Sequence, residues 1–186
     1  MFIRGVQNRK FVKEVAHFSS DDQEVNLDYI YKIGLNHAKR GKPRDAIYYF
    51  DKVLKVEPAH IGALIGKGNA LGKLGRYQDA ISIYDECLKI QPDHVVCLVN
   101  KGLAFHYIER YDEAVSCYDK VLAQDPDHAL TLYHKASTKS LQNKSEEAIT
   151  ILERAIMLDP QYAEKAAHDE DFQSLQNNDK FRSLVS

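Results

Sequence analysis

Pro58, Pro92, Pro126 and Pro160 follow one another at intervals of 34 residues. Proline lacks a backbone donor and biases the residue before it away from helix, so each of the four stops a helix at the same place. A three-fold recurrence of that spacing makes the chain an array of repeated units. In such an array each unit packs only on its neighbours, rather than around one central core. The units run 27–60, 61–94, 95–128 and 129–162.

Within the 34-residue register, position 20 is always alanine (Ala46, Ala80, Ala114, Ala148), and position 8 is Gly34, Gly68, Gly102 and Ala136. Small residues at two fixed places let two helices approach closely. The bulky apolar positions are as regular. Position 4 is Ile30, Leu64, Leu98 and Leu132, and position 24 is Phe50, Tyr84, Tyr118 and Leu152. Spacings of 4–8–11 and 20–24–28 trace helical faces and not the alternation of strands. Each unit therefore predicts two helices, near positions 2–14 and 18–30, with Asp93 and Asp127 placed to cap the helices that follow them.

The pattern resembles the tetratricopeptide repeat family, which has a period of 34, small residues at positions 8 and 20, bulky ones at 4 and 24, and proline at 32. The match covers 27–162 and departs mildly, with Pro43 where a tyrosine is usual and Ala136 where a glycine is usual. The resemblance implies an all-α fold, a right-handed superhelical α-solenoid of four helix-turn-helix repeats whose first helices line a concave face. It also implies binding rather than catalysis.

Composition narrows the function further. A net charge of −2 gives no support for non-specific nucleic-acid binding. No apolar run approaches the roughly 20 residues that cross a bilayer. Cys87, Cys97 and Cys117 show no CxxC spacing, so the cysteines read as free thiols in a reducing interior, the cytoplasm, with neither a disulfide framework nor a zinc ribbon.

Three features suggest chemistry and lose it on inspection. His60, His94 and His128 end successive units, so they form a ladder whose rungs stand roughly 8–10 Å apart. That is too far for shared ligation at ~2.1 Å, and no metal is expected. Gly62–Gly68 resembles a phosphate loop, yet it has three residues between its glycines, no hydroxyl residue after Lys67 and no preceding strand. Lys67, Lys101 and Lys135 share position 7, while Asp85, Asp119 and Glu153 share position 25, which suggests ion pairs between the two helices of one unit. No catalytic triad, cofactor motif or HExxH arrangement is present, so no enzyme activity and no cofactor are expected.

In the family, ligand-facing side chains come from the inner face of each first helix. Carried onto this chain, the resemblance implies a peptide-binding set of Tyr31, Leu35, Ile65, Asn69, Val99, Asn100, Leu103, Tyr107, Tyr133 and His134. Asn69 and Asn100 stand where family members hold a ligand backbone. The lysines of the family's carboxylate clamp are replaced by Ile65 and Leu130. With mostly uncharged contacts, binding is expected to depend little on salt. Gly62, Gly66 and Gly72 either reflect drift or open a notch in the groove.

Beyond the repeats, residues 163–186 carry Phe172, Leu175, Phe181 and Leu184 and are expected to cap the array as a helical segment. Residues 1–26 form a basic, apolar arm with a helix predicted over 8–18. The expected function is a non-enzymatic adaptor or scaffold whose groove takes a peptide or helix of another protein. The alternative is a self-assembling protein whose groove is filled by its own arm or by a second copy, giving a homo-oligomer. Neither nucleic acid nor membrane is an expected partner.

Overall fold

The computed structural model describes residues 26–186, and the helix expected over 8–18 lies outside them. Four helix pairs follow in order: α1 (Leu27–Lys39) with α2 (Pro43–Val56), α3 (Ile61–Lys73) with α4 (Tyr77–Ile90), α5 (Val95–Tyr107) with α6 (Tyr111–Gln124), and α7 (Ala129–Leu141) with α8 (Ser145–Leu158). A tail follows, made of α9 (Gln161–His168), a 3-10 turn (Glu170–Leu175) and α10 (Asp179–Val185). No strand occurs among the described residues. The helices start one position earlier in the register than the periodicity predicts.

The pairs form an α-solenoid. First helices of successive pairs touch one another more closely than second helices do, which curves the stack and makes α1, α3, α5 and α7 its inner wall. The tight contact within a pair is the glycine at position 8 against the ring at position 24. A Cβ on Gly68 would lie 2.5 Å from Tyr84, and one on Gly102 would lie 2.5 Å from Tyr118. In the fourth pair the ring is replaced by Leu152, and position 8 is Ala136. Loss of the glycine is thus matched to loss of the ring that required it.

Position 15 closes every turn between paired helices in the left-handed region. Gly41 (φ 68°) and Gly75 (φ 72°) adopt it without a side-chain penalty, whereas Glu109 (φ 61°) and Asn143 (φ 60°) occupy it with a Cβ.

Three expectations are corrected. The helix caps are the histidines and not the aspartates: Nδ1 of His60, His94 and His128 accepts the backbone N–H of Ala63, Cys97 and Thr131 at 3.0–3.3 Å. Asp127 instead pairs with Arg154. The position-7 lysines bridge consecutive units rather than the helices of one: Lys67 reaches Asp51, Lys101 reaches Asp85 and Lys135 reaches Asp119, at 2.5–2.7 Å. Each lysine lies one helix-pair step beyond its acid because α3, α5 and α7 pack on the second helix of the preceding unit. Finally, Cys87 and Cys97 are not free thiols but a disulfide joining α4 to α5 across the boundary of the second and third units. Position 27 of one unit faces position 3 of the next, and only at this boundary are both cysteine. Cys117 is free and buried. Nδ1 or Nε2 of His94 and the two sulfurs lie within 4.8 Å of one another.

No helix among the described residues is long and apolar enough to cross a membrane.

Candidate functional site

An open groove of about 680 Å³ runs along the inner wall of the first three helix pairs. Five of the ten expected residues line it: Leu35, Asn69, Asn100, Leu103 and Tyr107. Gly72 also lines it, and an added Cβ there would meet nothing within 4 Å. Gly62 does not line the groove, and Gly66 lines it together with the Phe50 ring that fills the space beside it. Their missing side chains accommodate the Tyr31 hydroxyl and the Phe50 ring, which would lie 2.6 and 2.5 Å from an added Cβ.

At the centre, Asn69 Oδ1 accepts two hydrogen bonds, one from the Tyr84 hydroxyl at 2.7 Å and one from Asn100 Nδ2 at 2.8 Å. That carbonyl is therefore saturated. The Asn69 amide and the second Asn100 N–H remain as donors, the arrangement needed to hold a ligand's carbonyl oxygens. Burial pushes the Tyr84 hydroxyl well above its usual range, so it stays protonated and keeps donating. One wall is the stacked pair Tyr77 and Tyr107, with ring centroids 4.9 Å apart; Tyr107 is 60% exposed.

The other five expected residues sit elsewhere. Tyr31 packs on Phe50 and His60. Ile65 is half-buried against the core around Tyr84, and Val99 is buried with Leu98 and Val121. Tyr133 and His134 stand on the inner wall of the fourth pair, but the chain's own tail covers that wall.

The tail's contacts are specific. Phe172 is fully buried against Tyr133 and Phe181. The Asp171 carboxylate accepts from His106 Nε2 at 3.1 Å, while His106 Nδ1 is 2.8 Å from the Thr138 hydroxyl. The Tyr133 hydroxyl donates to Asp169, Ser174 lies 3.3 Å from Ser140, and the Lys165 ammonium sits over the Tyr133 ring. Burial alone would push the Asp171 carboxyl up, yet the hydrogen bond and charge of His106, with Ser137 and His134, hold it below its usual range. Burial, with Lys165 and His106 nearby, lowers His134 to about 3. The inner face is thus open over the first three pairs and closed over the fourth.

Sequence reasoning missed the contribution of the second helices. Tyr77, Ala80 and Tyr84 of α4 and Phe50 of α2 also line the groove. Their apolar register reads as core, and only the one-step offset of the stack brings their edges to the inner face. Tetratricopeptide repeat models match residues 28–60, 60–127 and 109–176. The chain belongs to the tetratricopeptide repeat family.

Solved structures share the fold. MamA 41-end from Desulfovibrio magneticus RS-1 superposes with a TM-score of 0.72 at 23% identity, over 88% of this chain and 96% of that one. TTC0263, a thermophilic tetratricopeptide protein of Thermus thermophilus, gives 0.70 at 18% identity over 85% and 87%. Comparison with curated protein sequences gave no match. The family and fold are those of a protein-interaction scaffold.

Proposed function

We propose that this scaffold acts as a non-enzymatic adaptor, holding a peptide or helix of another protein in the open groove of its first three repeats. The observation that carries this reading is the Asn69–Asn100–Tyr84 network. It spends one amide carbonyl internally and leaves amide donors on the wall of the open groove, beside the exposed Tyr107 ring. A contiguous apolar surface with a few convergent polar groups is what a recognition site requires.

The test is selection of displayed random peptides against the full chain, followed by titration of the selected peptides against Asn100→Ala/Leu103→Glu. The double variant should bind them at least about tenfold more weakly, a loss of roughly 1.4 kcal/mol, while melting close to wild type. Undiminished binding to the double variant would move recognition away from the groove. The self-assembly reading makes a different prediction: a concentration-dependent increase in mass by light scattering, abolished by the same two substitutions.

A further inference from the structure

The open groove has a charge character that the inner-face motif does not convey. Lys39 closes the end of α1 and Lys73 the end of α3, and both line the groove; no aspartate or glutamate does. On the second helices that follow, Asp79 pairs with Arg76 at 2.6 Å and Asp45 lies 3.3 Å from His37, while the carboxylates of the tail reach only the Tyr107 end, where burial, Tyr77, Asp171 and Asp169 together push the Tyr107 hydroxyl up. Among the described residues neither groove lysine makes an ion pair. Two ammonium groups and two amide donors with no partner among the described residues therefore surround a space whose wall is aromatic. Such a site favours a ligand rich in carboxylates and carbonyl oxygens, with an apolar ring to set against Tyr77 and Tyr107.

The chain itself supplies a second observation. Further along the same inner face, the segment Asp169–Leu175 lies against the fourth repeat. It uses carboxylates on His106 and the Tyr133 hydroxyl, and it buries the Phe172 ring beside Tyr133. The concave surface of this protein thus already holds an acidic segment with an aromatic residue, in cis. The groove next to it carries stronger cations, Lys39 and Lys73.

Resting on the adaptor reading above, we propose that the open groove takes an acidic, phenylalanine- or tyrosine-containing segment of a partner protein. Its carboxylates would lie against Lys39 and Lys73 and its ring against the Tyr77–Tyr107 pair. The first thirteen residues of the chain, with Arg4, Arg9, Lys10 and Lys13 and no acid, have the wrong charge for this site, and over residues 1–25 Glu14, Asp21, Asp22 and Glu24 bring the arm only to a net charge of zero. The two lysines also replace salt-insensitive binding with binding that weakens as salt rises, because the Debye length shrinks from about 10 Å at 0.1 M to about 3 Å at 1 M.

The test is fluorescence anisotropy on the full chain with three labelled peptides. The first has the sequence of residues 167–178, as an acidic–aromatic probe. The second is the same peptide with its aspartates and glutamate changed to the amides, and the third is the sequence of residues 1–13, which is basic and carries no acid. The first peptide should bind best, and Lys39→Glu/Lys73→Glu should weaken it by about tenfold or more. Asn100→Ala/Leu103→Glu should also abolish its binding.

Equal or tighter binding of the amide or arm peptide overturns the acidic preference, as does no binding of the acidic peptide or indifference to the charge reversal. If that competing peptide is itself lost in Asn100→Ala/Leu103→Glu, the groove remains the binding surface and only the preference falls. If it is not lost, the adaptor reading falls as well.

Discussion

The pairing of glycine with an aromatic ring makes a quantitative prediction at Gly102. In an open helix, glycine to alanine stabilises by about 1 kcal/mol. Here the new methyl would sit 2.5 Å from Tyr118 Cε1, 2.9 Å from Cζ and 3.0 Å from Cδ1. The Tyr118 ring is fully buried, so it can move aside only by displacing its neighbours in the core. Overpacking of this kind costs about 1–3 kcal/mol, so Gly102→Ala should destabilise despite the better helix propensity. Tyr118→Leu alone should lose about 2–4 kcal/mol through the cavity it leaves. The double variant recreates the fourth pair, where Ala136 faces Leu152, and should lose less than the sum of the singles by about 1 kcal/mol or more. Urea unfolding followed by circular dichroism measures all three. A Gly102→Ala protein as stable as the parent, or losses that simply add, would refute the matched-pair account.

Other expectations follow from the same structure. Glu109→Gly should raise stability by about 0.5–1 kcal/mol by relieving the left-handed backbone that Gly41 and Gly75 adopt freely, read as a higher urea midpoint. Phe172→Ala should cost about 3–5 kcal/mol and open the inner face of the fourth repeat, visible as faster amide exchange at Ser137 and Ser140. His134 is lowered to about 3 in the folded protein against an ordinary 6.5. Its contribution is therefore fully present above pH 6.5 and is lost as pH falls from there towards 3, at up to about 1.4 kcal/mol per unit. Asp171, held below its usual range, adds a loss of its own that begins as pH falls through the ordinary carboxylate range. His134→Gln should flatten the midpoint-against-pH curve between pH 6 and 4; an unchanged slope would show that another group sets it. Reducing the Cys87–Cys97 disulfide, whose partners are 10 residues apart, should lower stability by roughly 2–3 kcal/mol through the freed loop, and Cys87→Ser should match the reduced wild type.

The helix pairs are legible because their determinants are local and periodic. Gly34, Gly68 and Gly102, the position-20 alanines and the prolines fix two helices and a stop whatever the units do next. What is not legible depends on how units stack. The Lys67–Asp51 and Lys101–Asp85 bridges, the Cys87–Cys97 bond and the entry of Tyr77 and Tyr84 into the groove all need the offset between consecutive pairs, which one unit's register does not contain. The tail shows the same limit. Phe172 and Leu175 announce an apolar cap, but that it crosses the inner face, and so covers Tyr133 and His134, follows from where α9 leaves the stack. Asn69, Asn100 and Leu103 are legible as groove-lining because they lie on the inner face of helices whose phase the repeat already fixes.

The most direct test of the groove as the binding surface is amide chemical-shift mapping of the isotope-labelled full chain with a peptide selected against it. The largest shifts should fall on Asn69, Gly72, Asn100, Leu103 and Tyr107, with Ser137 and Ser140 unmoved beneath the tail. Largest shifts on exposed second-helix residues such as Tyr48 and Met157, with Asn69 and Asn100 unmoved, would contradict it.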